Sequence, residues 1–220
     1  MTTARALADL TSSYRTLTSQ NSSDIPFTVK AASGQTADLV QFKNSSNVVI
    51  SKVDFAGEFV HPGSIIQVQS VTKTDAGTVT GAIWNDVSGL SLSITPRYSN
   101  SKILVMADIK AAGTQDASVV RSRVLRDSTP VGVGDAASNR PRSLGQAYIN
   151  SAGAGLYYCA QIGGTFMDSP TTSSQITYKV QIGGDSTGST LYINRTQGDR
   201  DAAGTDGRFT SSITLMEIAQ

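Results

Sequence analysis

The chain has 220 residues, 18 basic against 17 acidic side chains and a formal net charge of +1, which excludes the broad positive surface that nucleic acid or anionic lipid demands. One cysteine, Cys159, and one histidine, His61, exclude an internal disulfide framework and a cysteine-based zinc cluster. No run of about 18 apolar residues occurs and the opening MTTARALADLTSSYR lacks an apolar core, so neither a membrane span nor a secretory signal is expected.

The first predicted element is a helix within residues 1–24. Leu7, Leu10, Tyr14 and Leu17 recur at spacings of three, four and three, the apolar seam of two heptads. Two heptads cannot hold a helix in water alone, because nucleation costs too much at that length. The segment is expected to need sister chains, a socket on another protein, or its own domain to lie on. Asn21, Ser22, Ser23, Asp24 and Pro26 then stop it.

From residue 25 to 62 the pattern shifts to short strands: FTVKA, ADLVQFKN, NVVISKVDF and GEFV. Ala37, Leu39, Gln41 and Lys43 alternate with Asp38, Val40 and Phe42, a period of two. Turn residues separate the pieces at Ser33-Gly34, at Asn44 to Asn47 and at Ala56-Gly57. So few residues cannot bury a private core, which predicts strands completed by other copies.

Residues 63–220 read as one all-β domain. Its strands are SIIQVQSVTK, TVTGAIWNDV, LSLSITP, SKILVMADIKA, SVVRSRVLRD, LYYCAQIGGTFMD, QITYKVQIGG, TLYINRT and SITLMEIA. Serine and threonine make up about a quarter of the chain, only 16% is charged, and glutamate occurs only at Glu58 and Glu217. That balance favours pleated, half-buried surfaces over helices. Ile103, Val105, Ala107 and Ile109 alternate with Leu104 and Met106, apolar on both faces, as a central strand should be. The spacing suits a jelly-roll sandwich better than a small barrel.

Catalytic constellations are poor. Asp116, Asp127, Asp135, Asp168 and Asp185 are the carboxylates a glycan hydrolase would draw on, but Asp127 and Asp168 precede serines where side-chain-capped turns begin. His61 precedes Pro62 at a junction, with no nucleophile elbow anywhere, and reads as linker. Gly132, Gly134 and Asp135 lack the spacing of a dinucleotide fingerprint. The chain is read as a non-enzyme with no cofactor.

Two loops offer binding chemistry. GDRDAAGTDGR places Asp199, Asp201 and Asp206 within eight residues, a weak calcium candidate that lacks the third ligand and closing glutamate of a helix–loop–helix calcium site. Arg200 and Arg208 interleave and can pair with them instead. SNRPRS carries Arg140 and Arg142 near Tyr148, residue types that stack on and hydrogen-bond sugars or anionic polymers. Tyr157, Tyr158, Tyr178, Tyr192 and Trp84 are expected in the core or at a subunit seam.

Residues 31–59, AASGQTADLVQFKNSSNVVISKVDFAGEF, resemble a module of bacteriophage tail fibres and other virion appendages. The match rests on Gly34 to Leu39, the turn Asn44 to Asn47, Val48 to Ile50, and Asp54 to Gly57. That resemblance implies an interlaced β shaft around a three-fold axis. SLSITPRYSNSKILVMADI, RVLRDSTPVGVGDAA, TFMDSPTTSSQITYKVQI, TLYINRT and SSITLMEI are similar, in order, to marine phage (cyanophage-like) virion proteins, which implies a trimeric jelly-roll head of the TNF or C1q type. The expectation is therefore a homotrimer: attachment segment 1–24, shaft 25–62, head 63–220. It would dock through residues 1–24 on another virion protein and bind a host-surface glycan or protein multivalently. A capsid decoration or head-fibre protein is the alternative, and a glycan-degrading tailspike a distant one. Neither nucleic acid nor membrane insertion is expected.

Overall fold

In a computed structural model the described residues are 22, 23, 25, 28–80, 84–114, 118–149, 155–185 and 188–220. The expected helix through Leu7, Leu10, Tyr14 and Leu17 lies outside them. Contacts divide the chain into two units, Met1–Phe59 and Val60–Gln220.

The first unit carries a three-stranded meander: β1 (Val40–Lys43), β2 (Val49–Val53) and, ending at the unit's edge, β3 (Phe59–Val60). Two like turns build it, ten residues apart. Asn44 Oδ1 accepts the amides of Ser46 and Val48, and Asp54 Oδ1 accepts those of Ala56 and Glu58. Each turn then needs a left-handed residue, supplied by Asn47 at φ 63° and Gly57 at φ 86°. On one face Asp38 bonds Gln41 at 2.8 Å and Lys52 at 2.9 Å. On the other, Phe42 meets Phe59 edge-on at 6.1 Å, and both are exposed. FTVKA is not a strand over its described residues, 28–31, which are exposed and join none of the sheets.

The second unit is a β-sandwich. Its strands are β4 (Ile65–Lys73), β5 (Gly77–Thr80), β6 (Asn85–Ile94), β7 (Lys102–Asp108), β8 (Lys110–Gly113), β9 (Ser118–Arg126) and β10 (Thr129–Val131). β11 (Gly145–Ile149), β12 (Ala160–Gln161), β13 (Gly164–Asp168), β14 (Ile176–Gly183), β15 (Thr190–Ile193) and β16 (Ser211–Ile218) complete it. One sheet has the order β13-β7-β16-β4 and a second the order β12-β8-β15-β5. The same four stretches of chain build both, so together they make one bent layer. The facing layer runs β10-β9-β14-β6, with β11 also on β9. Counting bent strands once, one layer takes the first, third, sixth and eighth stretches and the other the second, fourth, fifth and seventh. That winding is a jelly-roll-like sandwich.

The inward rows are Ile103, Val105 and Ala107 on β7, Ile213 and Leu215 on β16, and Tyr178, Val180 and Ile182 on β14, all in one buried cluster. Each valine, leucine and isoleucine among them contributes about 1.5–3 kcal/mol by leaving water. The other face of β7 departs from expectation: Met106 is 41% exposed, because among the described residues no second layer covers the outer side of this sheet. LYYCAQIGGTFMD is not one strand either. It divides into a 3-10 turn (Gly155–Tyr157), β12 and β13, which belong to different sheets. At the crossing, a Cβ on Gly163 would stand 1.8 Å from the Ala107 carbonyl oxygen, so only glycine lets the chains approach there. TVTGAIWNDV is not one strand: Thr78–Thr80 lie on β5 and Asn85–Val87 on β6, in different sheets, while β6 runs on past Ser88-Gly89 into LSLSI, its extra residues bulging where its pairing with β14 shifts between Lys179 and Gln181.

Two polar groups tie the layers internally. Asp168 on β13 accepts both Arg126 from β9, at 2.7 and 2.8 Å, and the Tyr178 hydroxyl from β14, at 2.7 Å. Asp168 is therefore an interlayer tie and not the turn cap its sequence context predicts; Asp127, at φ 53°, does stand in the β9–β10 turn, but its side chain accepts the Thr177 amide of the neighbouring strand β14 at 3.0 Å. Burial, then the bond to Asp168, push the Tyr178 hydroxyl well above its ordinary pKa. Glu217 is fully buried and accepts the Arg97 and Tyr98 amides at 2.8 and 3.4 Å.

Candidate recognition surface

Between β15 and β16 the chain leaves the sandwich as a loop, residues 194–210, and its exit is a buried polar knot. Asn194, left-handed at φ 58°, donates from Nδ2 to the Lys73 and Asp75 carbonyls at 2.8 and 3.1 Å. Its Oδ1 accepts the Ser211 hydroxyl at 2.6 Å, and Ser211 Oγ accepts the Lys110 amide at 2.9 Å. Asparagine suits both demands, since it tolerates the left-handed region and has donors and an acceptor on one short side chain.

Beyond the knot the loop pairs its own charges. Arg208 reaches Asp199 at 2.6 Å and Arg195 reaches it at 3.4 Å, while the Arg195 guanidinium lies 4.2 Å over the Tyr192 ring. Asp206 accepts Thr196 Oγ1 at 2.9 Å and Arg200 Nε at 3.0 Å. Burial disfavours the charge on Asp206, but the bonds from Arg200 and Thr196 outweigh it and hold the carboxyl below its ordinary range. Arg200 in turn is raised, by its contact with the Tyr157 hydroxyl and by Asp206.

A second element joins this loop. The Gly198 amide donates to the Leu156 carbonyl at 3.0 Å, and the Arg200 guanidinium lies 4.7 Å over the Tyr157 ring. Tyr157 and Tyr158 stay 41% and 49% exposed beside it, so they are neither core nor strand residues as expected from sequence. Tyr178 is core, and Trp84 lies 4.3 Å beneath Arg123. The loop lines an open cleft of about 270 Å³ with Asp199, Arg200, Asp201, Asp206 and Arg208. Arginine and aspartate side chains around an open polar cleft can hydrogen-bond the hydroxyls or acidic groups of a sugar, and the exposed Tyr157 and Tyr158 beside the loop offer ring faces for stacking.

Of Asp199, Asp201 and Asp206, the weak calcium candidate, two take the alternative of pairing with the interleaved arginines. Asp199 and Asp206 are committed to different arginines, and no group of three or more His, Cys, Asp or Glu gathers into a ligand set among the described residues. Arg140 and Arg142 stand on the exposed loop between β10 and β11, where Arg142 Nε donates to the Gly134 carbonyl at 2.6 Å. Tyr148 is 59% exposed on β11, opposite Val119. Arg142 is thus held to its own loop rather than to Tyr148. The contact between Tyr157 and Arg200, 43 residues apart, leaves no trace in local sequence.

No protein family and no curated protein matches the chain. Among solved structures it is similar to a mutant VP2 protein of infectious bursal disease virus from derived T=1 particles, with 9% identity over 74% of this chain and 42% of that one, at a TM-score of 0.36. The structure of the Gt strain of that virus gives 11% identity, 74% and 44% coverage and a TM-score of 0.36. The VP2 subviral particle gives 10%, 74%, 44% and 0.34. The chain spans less than half the length of the structures it matches.

Proposed function

We propose that this protein is a structural component of a phage-type virion, a homotrimeric tail fibre or receptor-binding appendage that holds a host-surface glycan or protein without covalent chemistry. The observation that carries the reading is the β1–β3 sheet. Phe42, Ile50 and Phe59 are 47%, 46% and 60% exposed on a sheet too small to cover them, and Val48, Val49 and Phe55 are exposed with them. Other copies of the same sheet supply the missing cover, as the likeness of residues 31–59 to fibre modules implies. The second unit then presents the 194–210 loop once per copy, and several weak sites on one fibre sum to strong attachment. Residues 1–24 serve as the attachment segment.

Antibody or gold labelling of intact particles, beside the solution mass of the purified chain, tests this. Label on the tail with a trimeric mass supports the reading. Label on the capsid surface overturns the tail assignment in favour of a decoration or head-fibre protein, and a folded monomer overturns the assembly altogether.

A further inference from the structure

We propose that the outer face of the β13-β7-β16-β4 sheet is the seam along which the β-sandwiches of neighbouring copies meet. Met167, Leu104, Met216 and Val68 lie in register across all four strands. Met106 stands in the next row between Thr165 and Thr214, and Ile218 stands beside Ile65. Val68 is 52%, Ile65 55%, Met167 49% and Met106 41% exposed. Every methionine after Met1 is on this face.

The outer face of the opposite layer shows what an uncovered sheet of this protein looks like. There Lys179 and Gln181 bond Asp86 at 2.7 and 2.5 Å, Arg123 bonds Gln181 at 2.8 Å, and Ser93 bonds Thr177 at 2.8 Å. One sandwich thus has a face dominated by paired charges and amides, and another on which the Ser70–Thr214 hydroxyl pair at 2.7 Å is set among exposed methionines and aliphatic side chains. The second is the composition of a surface that another protein covers, and methionine's flexible thioether packs against a neighbour without strict complementarity.

Size identifies that neighbour as a second copy. Four strands about 4.8 Å apart and seven residues at about 3.4 Å make a face of roughly 450 Å². Free partners that hold each other stably bury about 800 Å² a side, so this face is too small to retain an independent protein. It suffices between copies already tethered, because a short tether raises the local concentration to about the millimolar range. The tether is covalent: β3 ends at Val60 and the apolar face begins at Ile65. Five peptide links reach at most about 18 Å, so β4 of each copy starts within that distance of its own β3 and stays tethered to any joined β1–β3 sheets.

This inference rests on the assembly proposed above, and methionine oxidation separates the two. The full chain is treated with dilute peroxide and mapped by peptide mass spectrometry, beside a urea-unfolded sample and a Val68→Lys, Ile65→Lys variant. Both substituted positions are more than half exposed in the single chain, so lysine fits without disturbing the core. In the assembled wild type, Met106, Met167 and Met216 should oxidise at least about tenfold more slowly than in the unfolded sample, and the variant should abolish that protection at Met106 and Met167 with its thermal unfolding unchanged. An assembled wild type in which Met106 and Met167 oxidise as fast as in the unfolded sample overturns the seam and leaves the assembly standing. A monomeric wild type overturns both. Should the variant fail to fold, the wild-type rates alone decide.

Discussion

Asn194 shows how one side chain sets a loop on a sandwich. Its amide donates to two carbonyls on the β4–β5 turn and accepts the Ser211 hydroxyl, all in a nearly dry site. Asn194→Ala leaves those carbonyls and that hydroxyl without their partner, and should cost about 2–4 kcal/mol. Thermal unfolding checks this, since each kcal/mol moves Tm by about 2–4 °C at this domain size. Asn194→Asp tests the donor alone: it keeps the acceptor for Ser211, loses both donors, and should recover little. Cys159 gives an independent residue-scale check. Burial pushes its thiol up to about 11, so little thiolate exists at pH 8 and alkylation there should run about 100-fold slower than for a free thiol. Reaction at the free-thiol rate would contradict that environment. In the sequence Asn194 is one more strand-end asparagine, because its three partners lie on segments far from it along the chain.

At the scale of elements, the 194–210 loop is held by charge and should therefore be acid-sensitive. The folded pKa of Asp206 is depressed, so its contribution is complete above the unfolded carboxylate value of about 3.9 and is lost as pH falls below it. Asp38, held down by Gln41 and Lys52, and Asp86, held down by Lys179 and Gln181, act in the same direction. Stability to urea should thus hold above about pH 4 and fall as the pH drops below it. Arg200→Ala should flatten that slope and raise amide exchange across 198–206, and an unchanged slope would contradict the pairing. If the loop is the recognition element, Tyr157→Ala and Arg200→Ala should each weaken host-cell adsorption by roughly 1 kcal/mol per site with the fold intact. Adsorption unchanged in both would remove this loop from the binding surface.

Elements were legible where a period of two met a buried core. KILVMAD and SSITLMEI declare their inward rows, and the Asn44 and Asp54 turns announce themselves by residue type. Where strands change sheets was not legible. The bend beside Ile109 and the division at Gly163 depend on another strand crossing at contact distance, which no local pattern records. FTVKA has strand-forming residues, and composition alone says nothing of whether a partner exists. The loop's aspartates resembled a cation site because interleaved arginines and metal ligands look alike until distances assign each carboxylate an owner.

For the whole molecule, the decisive feature is apolar surface without cover in each unit taken by itself. Phe42, Ile50 and Phe59 mark it on β1–β3, and Met106, Met167 and Val68 mark it on the sandwich. A free monomer would expose both, an aggregation liability that assembly removes. Phe42→Ser with Phe59→Ser should accordingly raise the dissociation constant of the assembly by orders of magnitude while leaving the sandwich's unfolding transition in place. An assembly untouched by that pair would move the joining surface elsewhere. The sequence showed that residues 25–62 are too few to bury a core, and so pointed to partners. Which side chains face those partners needed the register, since a slip of one residue exchanges the faces.

The most direct test of this account is the solution mass of the purified full chain by light scattering after size exclusion. The account predicts a monodisperse species at three times 23.0 kDa. A folded, monodisperse species at 23.0 kDa would contradict it, because the apolar faces of both units would then stand open to water with nothing to cover them.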